Sequence, residues 1–287
     1  MRSLPMLVVF SSALSTAAHP GQGVAPAATV DVAVLINKVR AAARFDYELL
    51  EQFSYIEERR DLKFSKLGKV TVGPLRRFEV HPSSQPGRTW KRLIAIDGRP
   101  LDPSELAERD AEHARHVRER EERLARESPS QRARRLEEED NARREREAIV
   151  DDAFAVFVPT IIGREVVEGV PTLVIDLTPR QTARVGTREG RWMKAFRGRI
   201  WIAEADYEIA ALELEAVRDV TIGWGFVGRV HEGSEFEFRR RRFEGVWLPA
   251  EVRFKGSGRT LLFRRFDVEA VTSYSGYRRR TRGQVLQ

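Results

Sequence analysis

Glu235-Phe236-Glu237-Phe238-Arg239 decides the fold: two phenylalanines alternate with three charges, so an extended chain sends one kind to each side. The same two-residue period returns in Glu251-Val252-Arg253-Phe254-Lys255 and in Arg265-Phe266-Asp267-Val268-Glu269. Each stretch is a strand with one apolar and one charged face, the pattern of an antiparallel sheet wetted on one side. Gly256-Ser257-Gly258, between the second and third, reads as a hairpin turn. Working outward, strands are expected at residues 156–168, 172–178, 197–203, 209–220, 230–242, 246–255 and 259–274. Near the front, strands at 53–56, 69–81 and 89–96 are separated by turns at Leu67-Gly68-Lys69 and residues 83–87. Those turns are too short for a crossover helix, so these strands are antiparallel as well.

Two regions break the strand pattern. Val32, Leu35, Ile36, Val39 and Ala43 recur at helical spacing, which predicts a helix over residues 29–43 that can run on to 52. Asp102-Pro103-Ser104-Glu105 and Ser128-Pro129-Ser130-Gln131 each place a cap, a proline at the first helical position and a Glu or Gln three residues after the cap. Two helices therefore start there. More than half of residues 104–147 are charged, their signs alternate, and the apolar stripe of Leu106, Ala111, Val117, Leu124 and Leu136 is thin. This is a charged helical insertion over residues 102–150, touching the body along one narrow seam and too poor in large heptad residues for a long coiled coil. A wide sheet with one apolar face must curl or be covered, so helices are expected on that face. The fold class is α+β, mainly antiparallel β, in a single domain over residues 29–287.

Arg2, the apolar residues 4–14 and Ser15-Thr16-Ala17-Ala18 have the layout of a secretory signal cleaved near Ala17 or Ala18, with residues 19–28 as a linker. The apolar run is well short of the ~20 residues that span a bilayer. The 287 residues include no cysteine, which removes disulfides, thiol nucleophiles and thiolate metal sites. Hydrophobic residues are 41% of the chain, a lean value that the charged insertion accounts for. The net charge is +7, but the dense runs Arg239-Arg240-Arg241-Arg242 and Arg278-Arg279-Arg280 accompany no helix-turn-helix, zinc-finger or RNA-binding pattern. Nucleic acid is not the expected partner. For an exported chain the expected acidic neighbour is an anionic membrane surface, with Arg239, Arg240, Arg241 and Arg242 as contacts. Solvated strand ends that aid solubility are the other reading.

Motifs for chemistry are sparse. Gly223-Trp224-Gly225-Phe226-Val227-Gly228 spells the three glycines of a dinucleotide site. A strand pattern follows it, where a pyrophosphate would need a helix N-terminus. His113 and His116 stand three apart beside Glu112, without zinc-protease spacing, and read as a solvated helix face. No metal and no cofactor is expected. No serine sits in a nucleophile-elbow sequence. Most of the 43 acidic residues alternate with arginine, as on a solvated surface. A binding or carrier module is therefore favoured over an enzyme, and an envelope hydrolase built on a carboxylate pair is the least favoured function.

A family resemblance enters on five stretches: Thr172-Leu173-Val174-Ile175-Asp176-Leu177-Thr178-Pro179-Arg180, Phe196-Arg197-Gly198-Arg199-Ile200-Trp201-Ile202, Ala205-Asp206-Tyr207, Gly245-Val246-Trp247-Leu248-Pro249 and Leu261-Leu262-Phe263. They resemble bacterial envelope proteins related to the outer-membrane lipoprotein-sorting carriers. Ala95-Ile96-Asp97-Gly98-Arg99-Pro100-Leu101, ahead of the charged stretch, is similar to a branch of exported proteins in that group. The resemblance implies a strongly curved, incomplete β barrel covered by helices, with an apolar cavity that in the carriers receives acyl chains. It implies a soluble periplasmic binder or carrier of a lipid or lipidated protein. Taken with the alternation of the late strands, the expected cavity wall is Leu212, Leu214, Phe236, Phe238, Val252, Phe254, Leu262 and Phe266. The charged insertion departs from the minimal carriers and supports a second expectation, an envelope scaffolding protein that meets a protein partner through residues 104–147.

Overall fold

A computed structural model describes residues 32–64, 70–83, 89–223, 227–260 and 265–280. The expected signal and linker, the turn at Leu67-Gly68-Lys69, most of the turn at 83–87, Trp224 to Phe226 and Leu261-Leu262-Phe263 lie outside the described residues. Helix α1 (Val32–Leu50) buries Leu35 and Val39, four residues apart, along one stripe. Strands β1 (Phe53–Phe64), β2 (Val70–His81), β3 (Trp90–Ile96) and the two-residue β4 (Arg99–Pro100) follow. Asp97 and Gly98 turn the chain between the last two with φ of 48° and 77°, the left-handed pair that an Asp-Gly hairpin favours.

Helices α2 (Pro103–Ala125) and α3 (Pro129–Val156) begin at the two prolines marked by the sequence. At α3 the capping box is complete. The Gln131 N–H donates to Ser128 Oγ at 3.2 Å, and the Ser128 N–H donates to Gln131 Oε1 at 2.9 Å. At α2 the Asp102 side chain makes no cap bond, so Pro103 and the first-turn Glu105 mark that start without the expected box. No described helix is long and apolar enough to cross a membrane.

β5 (Phe157–Val167) and β6 (Val170–Pro179) form a hairpin, and a short α4 (Arg188–Met193), which the sequence reading missed, leads into β7 (Phe196–Ala203). β8 (Ile209–Ala216), β9 (Val220–Gly223), β10 (Val227–Val230), β11 (Glu235–Phe243), β12 (Val246–Thr260) and β13 (Arg265–Arg279) complete the chain. The strands pair in the order β4-β3-β2-β1-β13-β12-β11-β8-β7-β6-β5, with β10 joined to β12 and β9. This path has two ends. The sheet is neither closed nor strongly curled, which corrects the expected half-barrel to an open antiparallel sheet with helices. Neither end invites closure: β4 is two residues long, and β5 carries Pro159 and a bulge between Ile161 and Gly163.

A second correction concerns Gly256-Ser257-Gly258, which is not a turn. β12 runs through it, pairing Gly256 with Val268 and Gly258 with Phe266. The glycine serves a close approach instead, since a Cβ on Gly256 would stand 2.5 Å from Ser234 Oγ.

Register carries residues of like character across the sheet. Ile175, Ile200, Leu212, Phe238, Val252 and Thr272 are consecutive partners in one row, and Leu177, Gly198, Leu214, Phe236, Phe254 and Ala270 form the next. The opposite face is charged in its middle: Asp176, Arg199, Glu213, Glu237 and Arg253 are partners in one row of it. Nearer the β6–β7 end this second face also buries Val174, Trp201, Ala211 and Trp247 in one cluster.

Candidate apolar ligand site

A cavity of 310 Å³ lies between the first of these faces and two helices, and every residue that lines it is apolar. Its floor is sheet. Alternation in β6 presents Ile175 and Leu177, β7 presents Ile200 and Ile202, and β8 presents Leu212 and Leu214, with Ile209 at the start of β8. Its roof is helix: Ile36, Val39 and Ala43 come from α1 at spacings of three and four, and Ile149, Val150, Ala153 and Phe154 come from the last turns of α3. Phe157 and Pro159 of β5 and Met193 at the end of α4 complete the wall. The volume falls at the low end of the ~300–1,000 Å³ usual for small-molecule sites.

α4 and the end of α3 are held together by one carboxylate. Asp152 is buried, and it accepts hydrogen bonds from the Gly186 N–H at 3.0 Å, the Thr187 N–H at 2.7 Å and the Thr187 hydroxyl at 2.6 Å. Burial alone would raise the Asp152 carboxyl. The bonds from Thr187 and Gly186, with the charge of Arg191, outweigh it and hold the group below the ordinary range. The helix end that carries Ala153 and Phe154 is thereby fixed against the N-terminal cap of α4, the helix that ends in Met193.

The expected wall residues divide. Leu212 and Leu214 line the cavity, whereas Phe236, Phe238, Val252 and Phe254 continue the same face beyond it, half-buried on β11 and β12. Phe266 lies in β13 opposite Gly258, and Leu262 is outside the described residues. The sequence reading expected helices over this face but named none of their residues as cavity wall, and it missed the β6–β7 floor. The signal for the roof was present in the spacing of Ile36, Val39 and Ala43 and in the change from charged to apolar residues at Ala148.

The arginine run is engaged within the chain. Arg239 donates to Glu213 at 3.0 Å, Arg241 pairs with Glu168 at 3.4 Å, and Arg242 pairs with Asp206 at 2.5 Å above the Trp247 ring. Arg240 departs most from the expectation of a membrane-facing cation. It is 4% exposed and donates to Glu208 at 3.0 Å, to the Ile209 carbonyl at 3.2 Å and to the Trp247 carbonyl at 2.5 Å. A bulge between Arg239 and Arg240 turns that side chain inward, a shift that simple alternation does not anticipate.

Two polar clusters lie elsewhere. Glu57 is 2% exposed and bound on both oxygens by Lys91, at 2.9 and 2.7 Å, with Arg59 adding a bond at 2.8 Å. Burial, then the nearby Glu57 charge, pushes the Tyr274 hydroxyl up to about 12. His113 does not face solvent as expected. It stacks on Trp90 at 4.0 Å and 4°, and Trp90 stacks in turn on His81 at 5.2 Å. Arg92 forks onto Asp110 at 2.7 and 2.6 Å beside this stack, so α2 docks on β3 through aromatic and ionic contacts. Among the described residues no group of His, Asp and Glu is placed to hold a metal ion. The glycines at 223 and 228 belong to the β9–β10 pair, so a strand occupies the place of the helix a dinucleotide would need.

No family model and no curated protein matches this chain. Several solved structures resemble it at low identity. One is a DUF1329 family protein from Desulfovibrio piger, at 11% identity and TM-score 0.32, covering 89% of this chain and 95% of that one. Another is the LolA superfamily protein NE2245 from Nitrosomonas europaea, at 9% identity and TM-score 0.30, covering 86% and 94%. A third is an outer-membrane lipoprotein-sorting protein domain from Vibrio parahaemolyticus, at 9% identity and TM-score 0.32, covering 86% and 94%.

Proposed function

We propose that this protein is an exported, periplasmic binder or carrier that holds the acyl chain of a lipid or lipidated protein between α1, α3 and strands β5 to β8. One observation carries the reading: a 310 Å³ volume whose lining is apolar throughout, roofed by helices and floored by a sheet. Such a space offers nothing to a polar substrate, and each methylene moved into it from water contributes about 0.8 kcal/mol. Phe236, Phe238, Val252 and Phe254 extend the same face and give a longer chain a surface to continue along. Titration of delipidated protein with a fluorescent fatty acid tests the proposal. Saturable uptake at one site per chain supports it, and failure to take up the probe, with no lipid co-purifying, removes it.

The charged insertion favours a second reading, an envelope protein partner at α2 and the outer part of α3. α2 has no buried residue, and Leu136 on α3 is 50% exposed. Replacing Glu119, Glu122 and Arg123 by serine should leave the body folded, since α2 has no buried residue, and should release a cross-linked envelope partner. Cross-linking that is unaltered by the triple change would withdraw this reading.

A further inference from the structure

We infer that the cavity takes a single-chain amphiphile with an anionic head group, and that Arg40 binds that head. The inference rests on the apolar-ligand reading above and adds the polar end of the ligand. Arg40 stands on α1 one turn after Ile36 and three residues before Ala43, both of which line the cavity. Its guanidinium carbon is 4.9 Å from the centre of the Phe154 ring, which belongs to the same wall. The positive charge therefore sits against the helical roof of a space that contains no polar group.

Its bonding is incomplete. The Arg40 side chain is 36% exposed, but its Nε is buried without a hydrogen-bond partner, and the ion pair it makes with Asp151 is 3.9 Å long, outside hydrogen-bond range. A guanidinium carries a planar fork of N–H donors fitted to a carboxylate or phosphate. A buried donor of this kind calls for an acceptor, and the carbon-lined wall supplies none. Among the described side chains of α1 the other cation is already engaged, since Lys38 donates to the Tyr207 hydroxyl at 3.0 Å and lies 4.2 Å above its ring. An alkyl chain ending in a carboxylate or phosphate satisfies both halves of the site, with carbon against carbon and the anion on Arg40. At ~30 Å³ per water-sized group, the 310 Å³ volume matches one chain of medium length.

Calorimetric titration of the delipidated full chain with dodecanoate, dodecyl phosphate and dodecanol, each below its micelle-forming concentration, tests the inference. The two anions are expected to bind about tenfold to a hundredfold more tightly than the alcohol, the worth of a charge-assisted hydrogen bond. Arg40→Gln should close most of that gap by weakening the two anions far more than dodecanol, and an unshifted thermal melt shows that the variant is folded. Arg40→Lys should keep part of the gap. Preference for dodecyl phosphate over dodecanoate assigns a phosphate-headed lipid, and the reverse assigns a fatty acid. Equal binding of all three by the unaltered protein overturns the anionic head group and leaves the apolar cavity standing. Absence of binding by any of them, dodecanol included, overturns the cavity reading and this inference together.

Discussion

Replacing Ala153 by phenylalanine puts six ring carbons into the cavity from its α3 wall. The space holds about ten water-sized groups at ~30 Å³ each, so the ring takes the room of about four or five methylenes of a bound chain. At ~0.8 kcal/mol per buried methylene the ligand loses about 3–4 kcal/mol. That is a several-hundredfold weakening, on the order of 10²–10³ in Kd. The empty volume lets the ring enter without displacing core atoms, so the melting temperature should hold or rise. Fluorescence titration with dodecanoate, read beside a thermal melt, measures both quantities. A variant that melts like the parent and binds dodecanoate equally well would refute the placement of the alkyl chain between α3 and the sheet.

Gly190→Ala should lower stability by about 1–3 kcal/mol, read by urea denaturation. A Cβ there meets Asp152 Oδ2 at 2.5 Å, and that carboxylate is fixed by three bonds and cannot give way. Arg240→Ser should cost about 2–3 kcal/mol of stability, somewhat below a fully buried pair because Glu208 keeps some solvent; an unshifted melt would contradict its buried role. Burial, first, and then the charges of Arg120 and His116 lower His113, while Asp110 opposes them. His81 is likewise lowered by burial, then by Arg280, His113 and Arg92 against Glu79. Neutral histidine is thus favoured in the docked state, so α2 docking is fully present above the ordinary histidine value of ~6.5 and weakens as pH falls below it. Hydrogen exchange of α2 amides at pH 7 and 5, corrected for intrinsic rates, should show lost protection at the lower pH, and equal protection would sink the idea. Deleting residues 104–147 should leave a folded sheet with weakened dodecanoate binding, and a Ser-Pro cap placed ahead of Ala148 should restore it.

The late strands were legible because only one of their faces is dry. Phe236 and Phe238 sit between Glu235, Glu237 and Arg239, and the structure keeps that alternation through β11, β12 and β8. β6 was harder to assign by face. Leu173, Val174 and Ile175 are all buried, since the cavity lies on one side and the Trp201–Trp247 cluster on the other, so no period of two survives in its sequence. Arg240 failed for a related reason: a bulge is a backbone event with no residue signature in that run. Gly256 and Gly258 misled because a strand glycine that admits a neighbouring side chain is spelled the same way as a turn glycine. The site followed from the same limits. Leu212 and Leu214 were found through alternation, while the floor in β6 and β7 and the roof in α1 and α3 needed the register and the helix placement.

α3 joins the two halves of the molecule's chemistry within one helix. Up to Glu147 it carries charge on nearly every turn, and from Ala148 it turns apolar and becomes cavity wall through Ile149, Val150, Ala153 and Phe154. A free helix of only the last nine residues would be marginal, since isolated helices shorter than ~12–15 residues rarely hold in water. The completed Ser128–Gln131 cap and the half-buried ion pairs of Arg135 with Glu127 and Glu139 support the outer turns. Those turns in turn nucleate the inner ones, so the charged stretch supports the wall even without touching a ligand. Asp152 then anchors the far end on the α4 loop. A helix tied at its C-terminal end and propagated from its N-terminal end keeps Phe154 beneath Arg40, and that placement sets the polar and apolar ends of the proposed ligand apart.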